Sequence, residues 1–319
     1  MLDSQEGLFE RADKPPDACA GVSVVIPAHQ RPVELRRAIA AVRAQEYAGP
    51  LEVVVVFDKA EPDESLTAGG ERPVRVLRNV RTPGLAGARN TGILASNNEL
   101  VAFCDDDDYW KSNKLAQQVD ALVASPGAPL VTSAIEVHYD GRVTPRLAGT
   151  DVVTHDMLVR SRMSMLHSST FLFRKSALTQ TVGLVNEEIP GSQNEDWDLL
   201  LRYSQVHPVL HVDSPLVKVT WGKSSFFSRR WDTKIESSIW MLDQHSDVAR
   251  HSRGAARLMG QIAFAYACSG HRRRAWMWAA RCLRRDPLQW RGALAGAVAV
   301  VPPSGEYALG LLHRFGRGV

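Results

Sequence analysis

Four consecutive carboxylates follow an apolar run about a third of the way along the chain. The aspartates at positions 105–108 come directly after residues 100–104 and before Tyr109 and Trp110. Carboxylates packed at the end of a buried strand repel one another unless a cation neutralises them. Such hard oxygen ligands suit Mg²⁺ or Mn²⁺, and Mg²⁺ commonly joins carboxylates to substrate phosphates. The run therefore indicates a metal-assisted site for a phosphate-bearing substrate, with a solvated acidic loop as the alternative.

A second acidic pair, Glu195 and Asp196, precedes a segment with helical spacing at 197–203. Ser192 and Glu195 have the spacing of a capping box, which predicts that the helix begins there. A carboxylate at a helix N-terminus is stabilised as an anion, so it stays deprotonated near neutral pH and can accept a proton. The alternative is that both residues only cap the helix.

Alternating strand and helix patterns must position these residues. Apolar runs at 22–27, 51–57, 74–77 and 99–104 predict strands, and residues 32–45 and 85–96 have helical spacing. This order predicts an α/β fold with an open, mostly parallel sheet flanked by helices. Ligands of such sheets bind outside the carboxyl ends of the strands. Residues 27–29, Asp58 and the acidic run all lie at such ends, so we expect one shared crevice.

The composition is that of a globular enzyme, with 45% hydrophobic and 23% charged residues. The four cysteines have no metal-type or disulfide-type spacing, so we expect free thiols in a reducing compartment. No basic segment followed by an apolar one opens the sequence, and no apolar run has the length of a spanning helix. We therefore expect a cytoplasmic protein.

Five segments in this order resemble a family 2 glycosyltransferase of the GT-A fold: VSVVIPAHQRPVELRRAI, LEVVVVFD, TPGLAGARNTGI, LVAFCDDDDYW and NEDWDLLLR. The resemblance covers about residues 21–225. It implies a flexible lead-in at 1–20 and a catalytic domain at 21–228, with a Rossmann-like nucleotide-sugar half at 21–110 and an acceptor half at 111–228. It further implies inverting transfer of a sugar from a nucleoside diphosphate sugar, UDP first, with Mn²⁺ or Mg²⁺ as cofactor. The chain departs from the family at Phe57 and Lys59, beside the position that selects the base.

The resemblance also implies roles for individual residues. Asp107 binds the metal with Asp105, Asp196 is the catalytic base, and Glu195 contacts the acceptor or orients the loop. For Arg89 an ion pair with a neighbouring carboxylate, away from the donor, is the alternative. Residues of the nucleotide-sugar site are Pro27, Ala28, His29, Arg31, Asp58, Gly87, Arg89, Asn90, Asp105 and Asp106, and those of the acceptor or diphosphate loop are His167, Trp197 and Lys223.

The C-terminal residues 229–319 form a predicted helical extension rich in arginine. From Arg250 onward there are twelve arginines, no lysine and two acidic residues, a net charge of +10 that leaves −7 for the preceding residues. Helical spacing occurs at 234–242, 253–268, 274–284 and 288–301. Arginine-flanked apolar helices suit the anionic inner face of the cell membrane. Packing on the catalytic domain and a homo-oligomer contact are the alternatives, and we expect no nucleic acid partner.

The leading interpretation is an inverting glycosyltransferase that acts on a hydroxyl of a glycan, lipid-linked or small-molecule acceptor. Bacterial polysaccharide, glycolipid or glycosylated natural-product synthesis would each use such an enzyme. One alternative is a catalytically silent module that binds nucleotide sugars. A sugar nucleotidyltransferase is disfavoured, because residues 27–31 do not form the glycine-rich phosphate loop that it should carry after the first strand.

Overall fold

The computed structural model of the protein describes residues 19–221 and 230–300, and positions 305, 307, 308, 310 and 312. Within these residues one mixed sheet has helices on both faces. The strands are β1 Val22–Ala28, β2 Leu51–Phe57, β3 Val74–Arg78, β4 Leu100–Phe103, β5 Tyr109–Trp110, β6 Leu130–Tyr139, β7 Arg142–Arg146, β8 Val152–Val153, β9 Leu172–Arg174 and β10 Val209–Thr220. The helices are α1 Pro32–Arg43, α2 Leu85–Ala95, α3 Lys114–Ala124, α4 His155–Arg160, α5 Glu195–Val206, α6 Trp231–Gln244, α7 Ser246–Arg250, α8 Ser252–Cys268, α9 Arg272–Arg285 and α10 Trp290–Val300.

The first half of the sheet is parallel and has the order β3-β2-β1-β4. Every residue of β1 and β2 is buried. Strands covered on both faces need continuous apolar side chains, which explains the unbroken valine and isoleucine runs. The elements predicted for this half are confirmed.

The second half of the sheet contains antiparallel pairs. Strand β9 lies between β4 and β6 and is antiparallel to both, so β4 and β6 share one direction. Strand β10 is parallel to β6, with irregular register between Val212 and Val217, and β5 pairs antiparallel on its far side. Six strands (β3, β2, β1, β4, β6 and β10) therefore run the same way, as the sequence predicts.

Two apolar clusters cover the two faces of the sheet. One contains side chains from α1 and α3, including Leu35 and Leu115. The other contains side chains from α2 and α5, and it also includes Met241 and Leu258 of the C-terminal helices. The extension is therefore continuous with the core of the catalytic domain.

Polar contacts also attach the extension to the catalytic domain. His245 Nε2 lies 2.9 Å from Asp198 Oδ1, and Asn194 Nδ2 donates to Ser237 Oγ at 2.8 Å. Helices α8, α9 and α10 then pack on one another through small side chains, mostly alanine. Packing on the catalytic domain is thus confirmed among the alternatives for this segment. Among the described helices, none is long and apolar enough to cross a membrane.

Candidate active site

His29 joins the carboxyl ends of three strands. Its backbone N donates to Asp106 Oδ2 at 3.1 Å, and its Nδ1 lies 2.9 Å from the carbonyl oxygen of Asp58. Arg31 Nη1 lies 3.0 Å from Asp106 Oδ1 and also pairs with Asp107. The residues after β1, β2 and β4 therefore meet in one place, as predicted from the sequence.

A cavity of about 430 Å³ opens beside Asp58, at the ends of β2 and β3. Asp58 Oδ1 accepts hydrogen bonds from Asn79 Nδ2 at 2.8 Å and from the backbone N of Gly84 at 3.0 Å. These two donors fix the orientation of the carboxylate. Asn79 was not predicted, although its place directly after β3 is the signal that could have indicated it. The lining residues are Asp58, Lys59, Ala60, Glu61, Arg78, Asn79, Arg81 and Pro83.

The acidic run forms a turn that changes which carboxylates lie together. The backbone N of Asp108 donates to the carbonyl oxygen of Asp105 at 3.2 Å. Ligand atoms of Asp105, Asp108 and His167 all lie within 4.8 Å of one another. The sequence predicted Asp105 with Asp107, but Asp107 pairs with Arg31 and lies outside this group. Asp107 as a metal ligand stays a prediction, and Asp108 and His167 join the candidates.

The carboxylates of the run have unequal pKa values. Burial and the charges of the neighbouring aspartates raise the pKa of Asp107 to about 6, against the effect of Arg31, and they raise the pKa of Asp108 well above its usual range. Burial acts on Asp105 too, but the positive charge of Arg89 outweighs it and lowers the pKa of that carboxyl. Buried carboxylates that repel one another are stabilised by a cation. The donor set therefore fits Mn²⁺ or Mg²⁺.

Arg89 is a buried bridge between the two acidic segments. Its side chain is 0% exposed, its Nη2 lies 2.5 Å from Asp105 Oδ1, and its Nη1 pairs with Glu195. This geometry is the alternative that the sequence left open for Arg89. Asn90 is also buried, and it donates to Glu187 Oε1 at 2.7 Å and to the carbonyl oxygen of Val185 at 2.8 Å.

Gly87 is buried for a different reason. A Cβ at this position would lie 1.9 Å from the carbonyl oxygen of Thr82. The absence of a side chain therefore lets α2 approach the segment after β3. Direct contact of Gly87, Arg89 and Asn90 with a donor stays a prediction.

Glu195 and Asp196 are both buried at the start of α5. Asp196 Oδ2 accepts from Arg162 Nη2 at 2.6 Å, and its Oδ1 accepts from the backbone N of Trp197 at 2.8 Å. Burial opposes ionisation of Asp196, but Arg162 outweighs it and lowers the pKa. Burial and the charges of Asp196 and Asp105 raise the pKa of Glu195 to about 7, against the effect of Arg89. The two neighbouring carboxyl groups therefore have pKa values shifted in opposite directions.

Two sequence expectations near α5 need correction, and a third prediction, that of Lys223, lies outside the described residues. The capping box does not form: the residue before the helix, Asn194, has φ 71° and no side-chain cap, whereas Ser192 Oγ accepts from the backbone N of Ala86 at 3.2 Å. Trp197 is 2% exposed and its Nε1 donates to the carbonyl oxygen of Leu158, so it is part of the core and not of a loop.

Arg162 is a second residue, besides Asn79, that sequence reasoning missed. It follows α4 and reaches Asp196 across 34 positions of sequence. No motif surrounds it, so the sequence held no local signal of its role.

Comparison of the sequence with known protein families finds a match. A model described as Glycosyl transferase family 2 matches residues 23–181. This chain carries a family 2 glycosyltransferase domain. The chain is 31% identical over 206 residues to the pre-mycofactocin glycosyltransferase of Mycobacterium tuberculosis, covering 60% of this chain and 42% of that protein.

A second relative of this chain comes from Escherichia coli. It is the UDP-Glc:alpha-D-GlcNAc-diphosphoundecaprenol beta-1,3-glucosyltransferase WfgD, 23% identical over 142 residues, which are 44% of this chain and 55% of WfgD. This chain therefore spans about half the length of these curated relatives.

Solved structures confirm the GT-A fold of this chain. TarS of S. aureus, in complex with UDP-GlcNAc, has a TM-score of 0.59 at 16% identity, over 93% of this chain and 92% of TarS. The mannosyltransferase PcManGT from Pyrobaculum calidifontis, in complex with GDP-Man and Mn²⁺, has a TM-score of 0.57 at 16% identity, over 96% of this chain and 90% of that one. At this identity the likeness shows the fold.

Proposed function

We propose that the protein is an inverting glycosyltransferase that moves a sugar from a nucleoside diphosphate sugar, UDP first, to an acceptor hydroxyl. The observation that carries the proposal is the Arg89 bridge. It connects Asp105, at the end of a nucleotide-half strand, to Glu195, beside the proposed base. One buried charge network thus connects the proposed donor-side residue Asp105 to the proposed acceptor-side residue Glu195.

The cavity beside Asp58 supports a nucleoside as the ligand on the donor side. A carboxylate held by Asn79 and Gly84 is oriented to accept hydrogen bonds from a base or a ribose. The fold likeness to structures that contain UDP-GlcNAc and GDP-Man agrees with a nucleotide at this edge of the sheet. Both uridine and guanosine donors remain within the proposal.

The acidic run supports a divalent metal. Asp105, Asp108 and His167, with Asp107 as the sequence-derived ligand, would hold Mn²⁺ or Mg²⁺. Such an ion supplies Lewis acidity, which stabilises the negative charge that develops on a leaving diphosphate. Arg31 pairs with Asp106 and Asp107, and its positive charge opposes the rise in their pKa values that burial causes.

Asp196 is the base of the proposed reaction. It is deprotonated at neutral pH because Arg162 lowers its pKa, so it can accept the proton of an acceptor hydroxyl. A direct displacement assisted by one base inverts the anomeric centre. The helix N-terminus adds further stabilisation of the carboxylate.

The acceptor and the site of action are part of the proposal. WfgD is named for a diphosphoundecaprenol acceptor, and other relatives are named for amylovoran biosynthesis. A bacterial glycan or lipid-linked glycan fits this chain as well. The exposed arginines of α9, together with Trp276, which is 52% exposed, fit peripheral contact with an anionic membrane.

The test is a transfer assay with UDP-, GDP- and dTDP-sugars, each with and without Mn²⁺, against methyl glycosides, sugar phosphates and a short-chain lipid diphosphate sugar. We expect metal-dependent transfer from one donor class, and a product whose anomeric configuration, read by NMR, is opposite to that of the donor. A product that keeps the donor's configuration would contradict the inverting mechanism. Nucleotide binding without turnover on every acceptor would favour the silent module.

A further inference from the structure

A cavity of about 580 Å³ lies between the catalytic domain and the C-terminal helices. The catalytic domain contributes Arg146 from β7, residues 161–165 after α4, and Trp221 after β10. Helices α8 and α10 contribute Arg257 and the pair Trp290 and Arg291. The cavity exists because the extension packs on the domain, so it is a feature of the assembled chain.

Among the described residues, four arginines and no carboxylates line this cavity. Arg162 is paired with Asp196, which lies behind it. Arg257 Nη1 donates to Ser161 Oγ at 2.7 Å, and Arg146 Nη1 donates to Ser164 Oγ at 3.1 Å. Within the described residues, no carboxylate lies at ion-pairing distance from Arg146 or Arg257. The cavity wall therefore carries positive charge that the described part of the protein does not neutralise.

Holding these arginines together is energetically unfavourable without an anion. Burial, together with the like charges of Arg291 and Arg162, lowers the pKa of Arg257 to about 9. Burial also lowers the pKa of Arg146, and its buried Nη2 has no hydrogen-bond partner in the described structure. A buried donor without a partner is costly, and an incoming acceptor atom would remove that cost.

Two tryptophans orient the guanidinium groups. The Arg146 guanidinium lies 4.6 Å from the ring centroid of Trp221, and that of Arg291 lies 4.4 Å from the centroid of Trp290. Stacking on an aromatic face holds a guanidinium planar while its N–H groups stay available at the edge. Guanidinium edges bind phosphate oxygens in pairs, which is the strongest recognition that such a wall offers.

We propose that this cavity binds a phosphate group of the acceptor and so brings the acceptor hydroxyl to Asp196. The proposal rests on the transferase function, since Arg162 connects the cavity wall to the base at 2.6 Å. The donor cavity beside Asp58 has a separate lining. A volume of about 580 Å³ exceeds that of a phosphate ion and accommodates a phosphorylated sugar or polyol. The phosphate can belong to a soluble phosphorylated glycan or to a lipid diphosphate.

The test is calorimetric titration of the full chain with two probes in EDTA. Glycerol 3-phosphate represents the soluble source, and farnesyl diphosphate represents the lipid source. We expect at least one probe to bind without metal, because no carboxylate is among the described residues that line the cavity. The variant Arg146→Gln/Arg257→Gln should weaken this binding about tenfold or more, because both charge-assisted contacts to the phosphate are lost.

Arg273→Gln is the matched control, because Arg273 is exposed on α9 and does not line the cavity. It should bind the probe within about twofold of the wild type, a difference well below 1 kcal/mol. Thermal melting of both variants checks folding, and Arg257→Lys, which retains the charge, should bind better than the double glutamine variant. Binding of one probe alone identifies the source of the phosphate.

Two results would overturn the phosphate site: no binding of either probe by the wild type at millimolar concentration, or equal binding by the double glutamine variant. UDP and GDP titrations with Mn²⁺ on the same samples separate this proposal from the function itself. Probe binding with no metal-dependent nucleotide binding would retain the cavity assignment and contradict the transferase. Nucleotide binding without probe binding would retain the transferase and contradict the cavity assignment.

Discussion

Arg89 and Arg162 divide the carboxylates at the start of α5 between them. Arg89 pairs with Glu195 and Asp105, whereas Arg162 pairs with Asp196. Both guanidinium groups come from segments distant in sequence, so their partners could not be assigned from spacing.

The acidic motifs themselves were predicted, because runs of carboxylates after apolar segments are visible in the sequence. Their pairing was predicted incompletely, because a turn closed by an i to i+3 hydrogen bond brings Asp108 towards Asp105, whereas Asp107 pairs with Arg31.

Replacing Asp196 by asparagine should abolish transfer and leave nucleotide binding intact. The change removes the proton acceptor but keeps an oxygen that Arg162 can donate to, and loss of a general base lowers kcat by about 10²–10⁴. The readouts are initial rate and nucleotide Kd on one preparation. Glu188→Gln, a similar change at an exposed position of the preceding loop, should keep both. Retained turnover with weakened nucleotide binding would show that Asp196 contacts the donor.

The acidic limb of the pH–rate profile should distinguish Asp196 from Glu195. A lowered pKa keeps Asp196 deprotonated as pH falls, so kcat/KM at saturating Mn²⁺ should decline only below the usual range of an aspartate. In Arg162→Gln the carboxylate loses its positive partner, its pKa rises, and the limb should move to higher pH.

A base at Glu195 predicts a different profile. Its pKa of about 7 would place the limb near neutrality. A limb there that does not move in Arg162→Gln would transfer the role of base from Asp196 to Glu195.

At the scale of elements, periodicity and burial explain which predictions succeeded. Strands β1 and β2 are buried on both faces and helix α1 is amphipathic, so their patterns are clear. The N-terminus of α5 was predicted for a wrong reason. Ser192 has the right spacing for a capping box, but its hydroxyl accepts from Ala86 at the start of α2. A tertiary contact between two helix N-termini thus replaces a local one, and no local pattern reports it.

Close packing at the start of α2 predicts that Gly87→Ala destabilises the protein. Alanine favours a helix over glycine by about 1 kcal/mol, so any loss reports the contact with Thr82. We expect the free energy of unfolding in urea to fall by about 2 kcal/mol or more. Gly127→Ala is the control, because a Cβ there meets nothing within 4 Å, and it should change stability by at most about 0.5 kcal/mol. Equal effects of the two changes would contradict the packing account.

At the scale of the whole molecule, charge and architecture are linked. Of the twelve arginines from Arg250 onward, ten lie in α7, α8, α9 and α10, and apolar side chains of α7 and α8 join the core of an acidic catalytic domain. The sequence revealed the charge division and the helices and favoured membrane contact of the extension, with packing on the catalytic domain and a homo-oligomer contact as the alternatives. Contacts between residues distant in sequence, such as that of His245 with Asp198, hold the extension on the catalytic domain. Such contacts form only in the folded chain, so sequence spacing could not reveal them.

Membrane contact of the extension is testable by charge reversal on α9. Arg273→Glu/Arg284→Glu should weaken binding to vesicles containing phosphatidylglycerol by about tenfold or more, because each basic residue near an anionic surface contributes about 1 kcal/mol. Arg37→Glu/Arg43→Glu makes the same change on exposed residues of α1 and should bind as the wild type does. Sedimentation with the vesicles gives the affinity. Equal loss in both variants would show an effect of net charge only, and no binding by the wild type would end the membrane interpretation.

The most direct test of the account is calorimetric titration of the full chain with UDP, GDP, dTDP, CDP and ADP, each with and without Mn²⁺. We predict that one nucleotide binds in a metal-dependent manner and that Asp107→Ala, which removes the sequence-derived metal ligand, loses that dependence. Absence of binding by all five nucleotides, with Mn²⁺ present and the chain folded, would contradict the assignment of a nucleotide-sugar transferase.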